Sequence, residues 1–151
     1  MNSPLTITDD VLVARAKEAR QNAYAPYSGF KVGAAVVTDD GRVFTGVNVE
    51  SVSYGLTCCA ERVAVFKAVS EGSRRITAVA VVAGEDTPAA PCGACRQIIS
   101  EFGPGCRIVM EDLAGHRVVS SISEYLPAAF GPRNDARRVK FQGQGPNLTV
   151  N

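Results

Sequence analysis

KVGAAVVTDDGRVFTGVN, residues 31–48, holds a nearly continuous apolar run from Lys31 to Thr38, a turn at Asp39-Asp40-Gly41, and a second extended run from Arg42 to Asn48. A run carried by Val32, Ala34, Ala35 and Val36 without polar alternation is what a strand buried on both faces looks like. The Asp-Gly turn folds the second strand back on the first as a hairpin.

A sheet covered on both faces needs helices, and the flanking sequence supplies them. Upstream, Leu12, Ala16 and Ala19 share one face of a helix predicted from Asp9 to about Ala23, with Asp9 and Asp10 placed to cap it. Downstream, a helix from about Cys59 to Glu71 carries Val65, Phe66, Ala68 and Val69 on its apolar side and stops at Gly72. Ile76 to Ala83 reads as a third strand, Cys92 to Phe102 as another core helix and Arg107 to Glu111 as a fourth strand. After Ala114-Gly115 come a short strand, Arg117 to Ser120, and a brief helix capped by Ser121 or Ser123. The order ββαβαββ behind a leading helix predicts a three-layer α/β/α sandwich around one mixed five-stranded sheet. Residues 1–151 are read as a single domain, with 132–151 a C-terminal tail that lacks clear periodicity.

Composition narrows the function. Sixteen basic residues against fifteen acidic ones leave a net charge of +1, so no overall field collects nucleic acid or an anionic membrane surface. The basic stretch Arg133, Arg137, Arg138 and Lys140 has no interleaved aromatics and reads as a solvated tail. No stretch approaches the ~20 apolar residues of a membrane span, and MNSPLTITDD has neither a basic start nor an apolar core. The expectation is a cytoplasmic protein acting on a small, nearly neutral ligand.

The five cysteines are an odd number, and Cys58 and Cys59 are adjacent, which argues against a disulfide framework. Cys59-Ala60-Glu61-Arg62 and Pro91-Cys92-Gly93-Ala94-Cys95-Arg96 each fall at the first turn of a predicted helix. A helix N-terminus favours thiolate, the form that binds metal, and helices packed side by side would bring the thiols together. Three thiolates fill three corners of the tetrahedral shell zinc prefers and leave the fourth for water, whose pKa then falls to about 7. Glu61, two residues beyond Cys59, is placed to move protons. Three thiolates around Zn2+ carry a net charge of about −1, and Arg62 is the expected donor that draws charge from sulfur. A lone Cys-x-x-Cys would equally serve a redox or structural zinc site; Cys58 points off the ligand direction and Cys106 reads as a buried strand residue.

These residues carry a family resemblance. APYSGFKVG at 25–33, GVNVE at 46–50, CAER at 59–62, PCGACRQ at 91–97 and LPAAFGP at 126–132 resemble, in order and spacing, the small homotetrameric cytidine deaminases. The arrangement ligand-x-Glu followed by Pro-Cys-x-x-Cys is also the general zinc-deaminase signature. The resemblance implies one Zn2+ per subunit on Cys59, Cys92 and Cys95, with Glu61 as acid and base. It further implies that Asn48 and Glu50 bind the ribose hydroxyl, that Phe30 packs on the nucleoside, that the Ala60 backbone binds the pyrimidine, and that Tyr54 and Phe130 finish active sites shared between subunits. The implied activity is hydrolytic deamination of cytidine and 2′-deoxycytidine in pyrimidine salvage.

Lys31 stands where proline is frequent and Ser51 where asparagine is usual, and Phe44 to Val49 is similar to blasticidin-S deaminases. Deamination of that antibiotic, or less directly of a base within a polynucleotide, therefore stays open, as does a zinc module that only binds a partner. His116, the one histidine, follows Gly115 in a predicted turn and is assigned no role.

Overall fold

The computed structural model describes residues 7–131. The basic stretch from Arg133 to Lys140 and the tail lie outside them. Strands β1 (Gly33–Thr38), β2 (Val43–Val47), β3 (Ile76–Val82), β4 (Arg107–Glu111) and β5 (Arg117–Ser121) form one five-stranded sheet in the order β2-β1-β3-β4-β5. β1 is antiparallel to both β2 and β3, β3 is parallel to β4, and β4 is antiparallel to β5. The expected mixed α/β sandwich is the observed one.

The unbroken apolar run of β1 is explained by what covers it. Side chains alternate across a strand, so Ala35 and Val37 join Leu12, Val13 and Ala16 of helix α1 (Asp9–Arg20) on one face. Ala34 and Val36 meet Ala60, Ala64, Val65 and Ala68 of α2 (Ala60–Ser70) and Ile99 of α3 (Gly93–Phe102) on the other. Phe66, expected on the apolar side of α2, instead lies 45% exposed. The core-facing stripe of that helix runs through Ala64, Val65 and Ala68, and Phe66 falls off it.

Close packing of α2 on β2 depends on Gly46. A Cβ there would lie 2.4 Å from both the Ala60 carbonyl oxygen and the Ala64 nitrogen. That contact seats the first turn of α2 on the sheet.

The cap of α1 is Thr8, whose hydroxyl accepts from the Val11 N–H at 3.3 Å, and not Asp9 or Asp10 as expected. The two aspartates occupy the first turn and pair elsewhere: Asp9 with Arg107, and Asp10 with Arg117 at 2.7 Å. Anions there complement the helix dipole while tying α1 to β4 and β5. Ser121 caps the brief helix α4 (Ile122–Tyr125) by position, without a side-chain cap bond.

The β4–β5 turn is built on Asp112, which is 1% exposed. Its carboxylate accepts from the Ala114 and His116 N–H groups at 2.9 and 2.8 Å and pairs with His116 Nδ1 at 2.7 Å. His116 is thus an exposed turn residue, as expected, with a structural partner the sequence reading did not find. The Asp112 hydrogen bond, then its charge, raises the His116 pKa above its ordinary 6.5. Burial pushes Asp112 upward, but the His116 and Ala114 hydrogen bonds and the His116 charge outweigh it and hold the carboxyl below its ordinary range.

Two outcomes follow. Gly46→Ala is expected to destabilise the protein by about 1–3 kcal/mol, the usual cost of overpacking, in urea denaturation; unchanged stability would contradict the close approach. The charge-dependent contribution of His116 is fully present below about pH 6.5 and declines as pH rises through its raised folded-state value. The stability gap between wild type and His116→Gln should therefore narrow on the alkaline side, and a gap that widens there refutes the assignment.

Candidate active site

The site is a consequence of strand direction. β2 and β3 are both antiparallel to β1, so they are parallel to each other, and each is followed by a helix. The N-termini of α2 and α3 consequently open at the same end of the sheet, and the two helices pack together. Cys59 is the N-cap of α2 and Cys92 the N-cap of α3, one residue earlier than the first turn expected, while Cys95 lies in the first turn of α3. Neither cap makes a side-chain hydrogen bond to its helix. The sulfurs stand where the unpaired N–H groups and the positive ends of two helix dipoles stabilise thiolate.

The three Sγ atoms lie within 4.8 Å of one another, and Cys59 and Cys92 are 3.7 Å apart. A disulfide would bring sulfurs to about 2.05 Å. Sulfurs that share a tetrahedral zinc at about 2.3 Å lie about 3.8 Å apart by simple geometry. The observed spacing is that of shared zinc ligands, and a soft sulfur set suits that ion. Among the described residues Cys58, Cys106 and His116 stand outside the cluster. Cys106 is 2% exposed, and burial pushes its thiol up to about 12.

Charge within the cluster is arranged for metal. The Cys95 hydrogen bond, with help from Arg62 and Cys92, lowers the Cys59 thiol to about 5 against the opposing effect of burial. Cys95 is pushed up, first by that same bond and then by burial. Arg62 Nη2 lies 3.6 Å from the Cys59 sulfur and donates to the Thr57 carbonyl at 3.3 Å. Its Nε is buried with no partner among the described residues.

Glu61, in the first turn of α2, is 4% exposed, and burial and then the Cys59 thiolate raise its pKa. Ala60, fully buried, begins the helix between these groups and Gly46.

The segment after β2 holds the second part of the site. Asn48 and Glu50, two apart, face the same loop. Asn48 Oδ1 accepts from the Val32 N–H and its Nδ2 donates to the Phe30 carbonyl, both at 2.8 Å. The Glu50 carboxylate accepts from the Tyr27 and Ser28 N–H groups at 2.9 and 3.1 Å and from the Ser28 hydroxyl. The hydroxyl bond leads in holding Glu50 below the usual carboxylate range.

A cavity of about 330 Å³ is lined by Tyr27, Ser28, Glu50, Tyr54 and Thr57. Thr57 joins it to the cysteines through Arg62. Tyr27, Ser28 and Thr57 were not singled out from sequence; a serine three residues before Lys31 has no spacing signal of its own. Phe30, Tyr54 and Phe130 are 48, 75 and 83% exposed. The chain thus gathers Cys59, Cys92, Cys95, Glu61 and Arg62 at the start of α2 and α3 and Asn48 and Glu50 beside one loop; Tyr54 lines the cavity, while Phe30 and Phe130 are exposed outside its lining.

Convergent thiols, an arginine beside one of them and a buried carboxyl on a mixed α/β sandwich fit a zinc-dependent enzyme. Residues 6–111 match the family described as the cytidine and deoxycytidylate deaminase zinc-binding region. The chain is 50% identical over 121 residues to a cytidine deaminase of Halalkalibacterium halodurans, covering 80% of this chain and 92% of that protein. It is 44% identical over 122 residues to one of Mycobacterium tuberculosis, covering 81% and 89%. The crystal structure of a cytidine deaminase from Burkholderia pseudomallei superposes with a TM-score of 0.79 at 52% identity, covering 82% of this chain and 99% of that one. The chain belongs to the cytidine and deoxycytidylate deaminase family, and its three-cysteine cluster makes it a zinc-dependent member.

Purified protein should hold one zinc per chain by elemental analysis, and Cys95→Ala should hold close to none. Chelation should lower stability by about 4 kcal/mol where free zinc had stood about a thousandfold above its Kd. Full zinc content in the variant would remove Cys95 from the ligand set.

Proposed function

We propose that this enzyme hydrolyses the C4 amino group of cytidine and 2′-deoxycytidine, consuming water and releasing ammonia to form uridine and 2′-deoxyuridine. The observation that carries this reading is the buried Glu61 carboxyl set against the three-sulfur cluster, with an anionic, hydroxyl-facing cavity next to it. Cys59, Cys92 and Cys95 would hold the zinc, which supplies Lewis acidity and an acidified water when bound.

The protons are the work of Glu61. As carboxylate it accepts a proton from the attacking water and delivers it to N3 of the pyrimidine; it then takes the second water-derived proton to the departing amino group, which leaves as ammonia. Burial raises its pKa above the ordinary carboxylate value, which favours a proton held between the two transfers. Ala60 offers the free N–H of a helix start to the pyrimidine carbonyl. Arg62 tempers the sulfur charge.

Asn48 uses its Oδ1 and one N–H on the Phe30–Val32 backbone and keeps its second N–H for a ribose hydroxyl. Glu50, held anionic, accepts from that hydroxyl and repels a 5′-phosphate, which favours nucleoside over nucleotide. Phe30 then stacks on the nucleoside. The exposure of Val52, Tyr54, Leu56 and Phe130, at 79, 75, 75 and 83%, supports a homotetramer in which Tyr54 and Phe130 cover a neighbouring subunit's site. The near-neutral charge supports free nucleosides over polynucleotides. Three reduced thiols suit the cytoplasm and a role in pyrimidine salvage, with residues 1–151 acting as one deaminase domain.

Glu61→Gln should keep its zinc while kcat on cytidine falls by about 10²–10⁴-fold, the range of general acid–base catalysis; a variant with wild-type turnover would end the shuttle assignment. Ultraviolet assays should show loss of the cytosine spectrum with both nucleosides and little with cytidine monophosphate. Turnover confined to blasticidin S or to single-stranded polynucleotide would refute the substrate assignment.

A further inference from the structure

The two residues after Cys95 reach out of the helix to two other segments. Arg96 Nε donates to the Pro91 carbonyl at 2.7 Å, and its Nη1 donates to the Tyr125 carbonyl at 3.2 Å. The same guanidinium lies over the Tyr125 ring, 4.9 Å from its centroid. Gln97 Nε2 donates to the Phe130 carbonyl at 2.8 Å. The Pro91 carbonyl belongs to the peptide that enters Cys92, which is the one exposed cysteine of the cluster. Burial does not fix Cys92, and its cap position makes no side-chain bond to the helix.

The segment on the other side of the clamp has few anchors of its own. α4 is four residues long, and Ile122 is its one fully buried side chain. Ala128 adopts φ 51°, a left-handed conformation costly for alanine, so external contacts must hold the turn that leads to Phe130. Arg96 and Gln97 provide them. A planar guanidinium with fixed donor directions suits a two-carbonyl bridge in a way an ammonium does not.

We propose that Arg96 is a positioning residue for the Cys92 ligand and that, with Gln97, it couples zinc occupancy to the order of the Tyr125–Phe130 segment. Metal that holds Cys92 stiffens the Pro91 carbonyl, Arg96 passes that constraint to Tyr125, and by reciprocity an ordered segment tightens the metal. The inference rests on the cysteine cluster and the Arg96 and Gln97 bridges, and holds whatever the substrate.

The test measures zinc affinity by chelator competition and backbone hydrogen exchange of peptides spanning 122–130, in zinc-loaded and zinc-stripped protein. Arg96→Lys and Arg96→Met should weaken zinc by about 10–100-fold, as loss of a group supporting a metal ligand does. Zinc removal should accelerate exchange in the wild-type segment, whereas both Arg96 variants should exchange fast even when loaded. Leu12→Ala, on the opposite face of the sheet, should lower Tm without changing zinc affinity, which separates positioning from general stability. Arg96→Lys keeps the charge and guards the test should Arg96→Met fail to fold. Zinc affinity within about twofold of wild type in Arg96→Lys, or wild-type exchange that is indifferent to zinc, overturns the proposal.

Discussion

Everything at the site depends on two helix N-termini being held side by side at one end of the sheet. Three sulfurs within 4.8 Å of one another would repel as thiolates in most surroundings. Here the positive ends of α2 and α3, with Arg62 against Cys59, offset that repulsion. The arrangement is inherited from strand direction: β1 sits between β2 and β3 and is antiparallel to both. Gly46 then lets α2 approach the sheet closely enough for its first turn to face that of α3.

The same constraint divides labour among neighbouring residues. Cys59 and Glu61 share a helix turn, so the thiolate and the burial that raise the carboxyl's pKa are built into one backbone segment. Asn48 and Glu50 first organise the 27–32 loop through their hydrogen bonds. Glu50 also lines the cavity. Substitution at either residue should therefore loosen the 27–32 loop.

Much of the fold was legible in the sequence because burial on both faces leaves an unmistakable mark, as in the run Ala34-Ala35-Val36-Val37. The cysteine cluster was legible because ligand spacing at helix starts is local. What escaped was set by partners distant in sequence. Asp9 and Asp10 looked like caps, but Arg107 and Arg117, about a hundred residues away, draw their charges while Thr8 caps the helix. Phe66 fell off the stripe that the small side chains of α2 define. The Asp112–His116 pair, the Ser28 hydroxyl on Glu50 and the bridges from Arg96 and Gln97 join loops whose approach no periodicity announces.

X-ray absorption at the zinc edge of the purified protein tests the central claim most directly, since it reads the ligand set without reference to turnover. Three sulfur neighbours at about 2.3 Å and one oxygen or nitrogen neighbour at about 2.0 Å are expected for a three-cysteine centre with one open position. A shell of four sulfurs would recruit a further cysteine and close the site, contradicting its role as a reaction centre. A shell of light atoms alone would place the metal away from Cys59, Cys92 and Cys95 altogether.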